Sequence, residues 1–90
     1  MLIVTERAKE GLKALLETEV DDRSLGLRLA ATPAGQFGVF PDHAHTGDQV
    51  VVHEGAIVLL VDQDVAERVS EATIDYEESP LGAQFVIRRS

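Results

Sequence analysis

The sequence predicts one α+β domain: a mostly antiparallel or mixed β core, barrel- or sandwich-like, with an N-terminal helix and a second, short helix outside it. Three observations predict it. Ninety residues are enough for one core and too few for two. A hydrophobic fraction of 44% can fill that core, and with only three Phe, one Tyr and no Trp the packing falls to Val, Leu, Ile and Ala. The apolar period also changes along the chain, from helical after Thr5 to β-like runs, to helical again after Asp62, and back to β.

Leu2 to Val4 is a short apolar run suited to a strand or an extended arm. Thr5 then offers a hydroxyl to cap a helix whose first turn carries Glu6. Ala8, Leu12, Leu15 and Leu16 fall on one side of that helix, and Glu6/Lys9, Glu10/Lys13 and Lys13/Glu17 sit at pairing distance on the other. Gly11 costs such a helix about 1 kcal/mol relative to Ala, unless a neighbour must approach there. Asp21 to Ser24 breaks the pattern, and Leu25, Leu27, Leu29 and Ala31 then alternate with Gly26, Arg28 and Ala30 as in a half-buried strand. Thr32-Pro33-Ala34-Gly35 ends or bends this strand; Phe37 to Phe40 makes a third, closed by Pro41. Val50 to Val52 and Ala56 to Val61, joined across Glu54-Gly55, read as a hairpin. Asp62 caps a short helix with Val65, Ala66 and Val69 inward. Thr73 to Glu77, a turn at Ser79-Pro80-Leu81-Gly82 and a last strand bearing Phe85 and Ile87 complete the order β-α-β-β-β-β-α-β-β.

Eight basic against sixteen acidic residues give a net charge of −8, which repels nucleic acid and anionic membrane. The basic residues are scattered, and the Arg88-Arg89 pair reads as a solvated tail. The absence of cysteine excludes disulfides, a thiolate nucleophile and cysteine-held metal from these 90 residues. The N-terminus lacks the basic and long apolar regions of a signal peptide, and the longest apolar run, Ala56 to Val61, is too short to cross a bilayer. A cytoplasmic protein is the expectation.

Asp42, His43 and His45 form the best ligand-like cluster, since Asp-His-x-His can turn two imidazoles and a carboxylate to one side of an extended segment. A solvated loop is the simpler reading, so no metal site is expected. His53, at a hairpin end, is assigned to structure. Asp75, Glu77 and Glu78 could be read as paired carboxylates for acid–base work, but alternation puts Asp75 and Glu77 on one outward, solvated face, the alternative being docking to a basic partner. Ser24, Ser70 and Ser79 have no nucleophile context, and Gly26, Gly35 and Gly38 lead into no helix and so form no phosphate cradle. No catalytic residue is assigned, and the chain is not expected to be an enzyme. Phe37 and Phe40 point to opposite faces of their strand; the expectation is that the second packs under a helix, the alternative being an exposed interface residue.

Leu2-Ile3-Val4-Thr5-Glu6-Arg7-Ala8, Gly26-Leu27-Arg28-Leu29, Gly47-Asp48-Gln49-Val50, Val61-Asp62 leading to Thr73-Ile74-Asp75-Tyr76, and Gly82-x-x-Phe85-Val86 together resemble the HesB/IscA-like family, the A-type carriers of iron–sulfur cluster assembly. The resemblance spans residues 1–90 as one domain. It implies the fold, self-association as a homodimer, and protein partners in the assembly machinery. The family holds its cluster or iron on three cysteines, one in a loop after the Gly-Leu-Arg-Leu strand and two in a Cys-Gly-Cys tail. Here the loop is Gly35-Gln36-Phe37-Gly38, with Gln36 where the cysteine is expected, and the sequence ends at Ser90 without the tail. A neutral amide oxygen cannot replace a thiolate on iron–sulfur chemistry. The expectation is therefore a non-catalytic accessory module that binds a protein partner, carries no cofactor and is linked to cluster assembly. The alternative is an iron or zinc binder or sensor using Asp42, His43 and His45.

Overall fold

A computed structural model describes residues 2–22, 24–31, 37–80 and 82–89. The elements follow the expected order: β1 (Ile3–Val4), α1 (Glu6–Glu19), β2 (Gly26–Ala31), β3 (Phe37–Asp42), β4 (Gln49–His53), β5 (Ala56–Val61), α2 (Gln63–Arg68), β6 (Ala72–Ser79) and β7 (Gly82–Arg89). They form two sheets, ordered β1-β6-β7 and β3-β2-β5-β4, rather than a closed barrel. Both are mixed, because β1 runs parallel to β6 and β2 parallel to β5. The turn proposed at Thr32 to Gly35 lies outside the described residues.

Helix α1 fills the space between the sheets, packing on β5 and β6. Thr5 caps it, accepting a hydrogen bond from the Ala8 N–H at 3.1 Å, and Ala8, Leu12 and Leu16 enter the core. Gly11 has a packing reason. A Cβ there would stand 2.7 Å from the Tyr76 ring, which packs edge-on to Phe85. Lys13 reaches away from its own helix: its Nζ is 2.8 Å from Glu54 Oε2 and 3.9 Å from Glu17. The β4–β5 turn has positive φ at both central residues, Glu54 (51°) and Gly55 (80°), as a two-residue hairpin loop requires. Asp62 caps α2 through the Val65 N–H, at 2.9 Å, and Val65 and Val69 are buried. No described helix is long and apolar enough to cross a membrane.

Strand β2 is not half-buried as its alternation suggests, since residues 26 to 29 are all covered. Leu27 and Leu29 face α1, whereas Arg28 faces outward and is still only 6% exposed. The register explains this. Asp42 lies opposite Gly26 at one edge of the sheet, and Gln49 lies opposite Val61 at the other edge, level with Leu29 of β2. Residues 43–48 must therefore cross three strand spacings, about 14 Å, on seven Cα steps that reach about 25 Å at full stretch. This segment straps the outer face over Arg28, which holds the His43 carbonyl and Asp48, and Leu60 beside Arg28 is wholly buried although it lies outside the main core.

Candidate functional site

The expected cluster loop comes first. Gly35 and Gln36 lie outside the described residues; Phe37 and Gly38 open β3. Phe37 is half-buried and lines an apolar cavity of about 250 Å³ with Leu12, Leu29, Val39, Phe85 and Ile87. That lining offers hydrocarbon and no thiolate, so the described residues at this end of β3 do not fit an iron–sulfur cluster. Phe40, on the other face, is 46% exposed, contrary to the expectation that it packs under a helix: strand alternation turns it to the outer sheet face, opposite Arg28 and away from the side that Leu29 and Val39 share with the core.

Asp42, His43 and His45 are brought together at one end of the strap, around Arg28. The Arg28 Nε donates to Asp42 Oδ2 at 2.5 Å, and Nη1 and Nη2 donate to Asp48 at 3.1 and 2.8 Å. Nη2 also meets the His43 carbonyl at 3.1 Å and His45 Nδ1 at 3.4 Å. The other oxygen of Asp42, Oδ1, accepts the His43 N–H, and Asp48 Oδ2 accepts the His45 N–H as well as Arg28 Nη2. This is a charge-assisted clasp, in which a planar guanidinium meets two carboxylates at once. Hydrogen bonding by Arg28, reinforced by the His45 N–H, holds the Asp48 carboxyl down at about 2 against the opposing cost of burial. Arg28 also lowers Asp42, helped by the His43 N–H. The guanidinium itself is pushed further up by Asp48 and Asp42. His43 and His45 are exposed residues, the His45 ring lying against the clasp with Nε2 3.9 Å from Asp42, and among the described residues no three His, Cys, Asp or Glu side chains are grouped to hold a metal ion.

Sequence reasoning missed Arg28, which it counted among scattered basic residues. The signal was a lone Arg inside an apolar strand with two Asp downstream, since a buried guanidinium needs partners.

The acidic face also requires correction. Asp75 is 5% exposed, not solvated, and accepts from Thr5 Oγ1 at 2.7 Å, Arg7 at 2.9 Å, Arg88 at 2.9 Å and its neighbour's Tyr76 N–H at 2.8 Å. The Thr5 hydroxyl and the Tyr76 N–H lead in depressing its carboxyl far below the usual range. Thr5 thus joins the α1 cap to β6. Arg88 lies on β7, paired with Asp75 and Glu77, instead of in a solvated tail. The His53 ring, assigned to structure from the sequence, is largely buried, with Nδ1 3.8 Å from Glu6 and Nε2 3.4 Å from Glu54.

No family model matches the chain. It is 40% identical, over 97% of its length and 78% of the relative's, to the iron-sulfur cluster insertion protein ErpA of Nitrosococcus oceani. It is 34% identical to ErpA of Hahella chejuensis over 97% of this chain and 77% of that one. The chain belongs to the HesB/IscA-like family of A-type carriers. Solved HesB/IscA-like structures share its fold: Escherichia coli SufA superposes with a TM-score of 0.79 at 18% identity, covering 98% of this chain and 84% of SufA. An IscA solved with a [2Fe-2S] cluster gives 0.66 at 19% identity, covering 99% and 85%.

Proposed function

We propose that this chain serves iron–sulfur cluster assembly as a cysteine-free accessory module, which binds proteins of the pathway in the cytoplasm without holding a cluster and without catalysing a reaction. The observation that carries the reading is the combination of a retained family fold with a sequence that contains no thiolate. Relatives at 33–40% identity are named for iron–sulfur cluster insertion, which supports the pathway. The cluster, as cargo, requires soft anionic sulfur ligands, and neither Gln36 nor the apolar lining beside Phe37 supplies one. Asp42 and Asp48 are committed to Arg28, so the strap works as structure and not as an open ligand set.

Anaerobic reconstitution with ferrous iron and sulfide, beside a cysteine-bearing relative, tests the reading. The relative should gain cluster absorption and this chain should keep no iron after desalting. The same chain should be retained by immobilised, cluster-loaded assembly proteins. Cluster absorption on this chain would overturn the accessory role. Iron retained by the chain and lost in a His43→Ala/His45→Ala variant would instead support metal binding at Asp42, His43 and His45. Absence of any interaction with assembly proteins would remove the pathway.

A further inference from the structure

Phe37 and Val39 on β3 and Phe85 and Ile87 on β7 are side chains that a core should cover, yet all four are only half-buried. They form the rim of the cavity of about 250 Å³ beside Phe37. Leu12, Leu29, Leu59 and Ile74, all buried, form its floor. β3 and β7 are outer strands of two different sheets and share no ladder with each other. The cavity therefore lies between the sheets, along a side where the rim can part without breaking a ladder.

The lining decides what can enter. It consists of Leu, Ile, Val, Phe and one Gly, so the only polar atoms at the wall belong to the main chain. A trapped water needs several polar partners and an ion needs a counter-charge, and these side chains supply neither. Size narrows the class further. An apolar cavity of about 150 Å³ stays dry and takes up benzene, so one of about 250 Å³ has room for a second ring. Aromatic carbon is also what the wall offers. Two of the three Phe in this aromatic-poor chain, Phe37 and Phe85, stand on the rim, one from each sheet. The Tyr76 ring braces Phe85 edge-on, with 4.9 Å between centroids, and an entering ring can pack against Phe37 and Phe85 in the offset or edge-on geometries that aromatic pairs favour.

We infer that this cavity is a ligand site for a small, uncharged, flat aromatic molecule of the size of a fused bicycle, seated between Phe37 and Phe85 over Leu29 and Ile74. Entry covers the exposed parts of the four rim side chains, and removal of that apolar surface from water drives it. No committed charge has to move, because Arg28 and its carboxylates lie on the opposite face of β2 from Leu29. A ligand of this size in a preformed apolar cavity binds with a Kd on the order of 0.1 mM. An anionic counterpart binds more weakly, since its charge must either enter hydrocarbon or hold the rings part-way out, and the net charge of −8 repels it. The site is separate from the Arg28 clasp and does not depend on a role in cluster assembly.

Titration of the whole chain with indole, followed by calorimetry and methyl NMR, tests this. Indole should bind saturably, with shifts concentrated on the methyls of Leu12, Leu29, Val39, Leu59, Ile74 and Ile87 and little change at Val50 and Val52 on the outer face. Indole-3-acetate, which adds a carboxylate to the same rings, should bind at least ~10-fold more weakly. Val39→Phe fills the cavity from one side of the rim and Ile87→Phe from the other, and each should abolish binding without lowering the urea midpoint. Either variant, provided it folds, is sufficient for the comparison. Absence of saturable shifts, shifts spread over the outer face, or undiminished binding in a folded Val39→Phe or Ile87→Phe chain would overturn the inference. Equal affinity for indole-3-acetate would overturn the uncharged class. An indole affinity that falls as protein concentration rises would also overturn it, because a second copy would then be covering the rim.

Discussion

Arg28 shows how much of this fold hangs on one side chain. It lies on the outer face of a sheet and is buried beneath a six-residue strap that its own guanidinium holds down. Arg28→Leu keeps the apolar stem but strands Asp48, whose side chain is only 3% exposed, without a counter-charge. Removing one member of a buried pair costs about 3–5 kcal/mol, and the lower end applies because Asp42 keeps 26% of its side chain in water. A loss of about 3 kcal/mol is a large share of the stability of so small a domain. Urea unfolding should show it, together with faster amide exchange at residues 43–48; unchanged exchange would mean that the strap is held by other contacts. The carboxylates were legible in the sequence as a cluster, yet their partner was not. Arg28 stands 14 and 20 residues upstream of Asp42 and Asp48, and only the register of β2 with β3 brings them together. Asp75 was misplaced for a related reason. Alternation correctly separates it from Ile74 and Tyr76, but says nothing of Thr5, Arg7 and Arg88, which cover its face from two other elements.

At the scale of elements, α1 contains a residue that opposes its own helix. Gly11→Ala would raise helix propensity by about 1 kcal/mol, but its Cβ would sit 2.7–2.8 Å from two atoms of the Tyr76 ring. Forcing a ring out of a packed site costs about 1–3 kcal/mol, so the clash should win and the variant should be less stable than the parent. In a Tyr76→Ala background the ring is gone, and Gly11→Ala should then stabilise. The sign reversal, read from urea midpoints of the four proteins, separates close packing from propensity; the same sign in both backgrounds would show that the ring simply turns aside. The local signals that fixed this helix were strong: Thr5 as cap, and Ala8, Leu12 and Leu16 at helical spacing. The same holds for the Glu54-Gly55 hairpin and the Asp62 cap. What local signals could not carry was strand partnership. Nothing within β2 or β5 specifies that they run parallel, and their burial on both faces, visible in the unbroken run Ala56 to Val61, is the only trace of it in sequence.

For the whole molecule, two electrostatic effects act in opposite directions as pH falls. The excess of sixteen acidic over eight basic residues repels itself at neutral pH, and acidification toward the isoelectric point near 4.6 relieves that strain. The anchoring carboxylates behave differently. Asp48 is depressed to about 2, and Asp42 and Asp75 are depressed as well, each by donors present only in the folded chain. A group whose folded pKa is lowered contributes its full stability above its unfolded value, near 4 for Asp, and loses it as pH falls toward the folded value. From pH 7 to about 4.5 the anchors stay ionised while surface repulsion declines, so stability should hold or rise. Below about 4 the anchors take up protons in the unfolded chain first, and for Asp48 the contribution fades between about 4 and 2. The urea midpoint should therefore pass through a maximum near the isoelectric point and then fall steeply. Asp48→Asn should start lower at pH 7 and lose less below pH 4, so that its curve converges on the wild type. Parallel curves would show that the acid transition is governed by net charge alone and that the Arg28 clasp carries none of it.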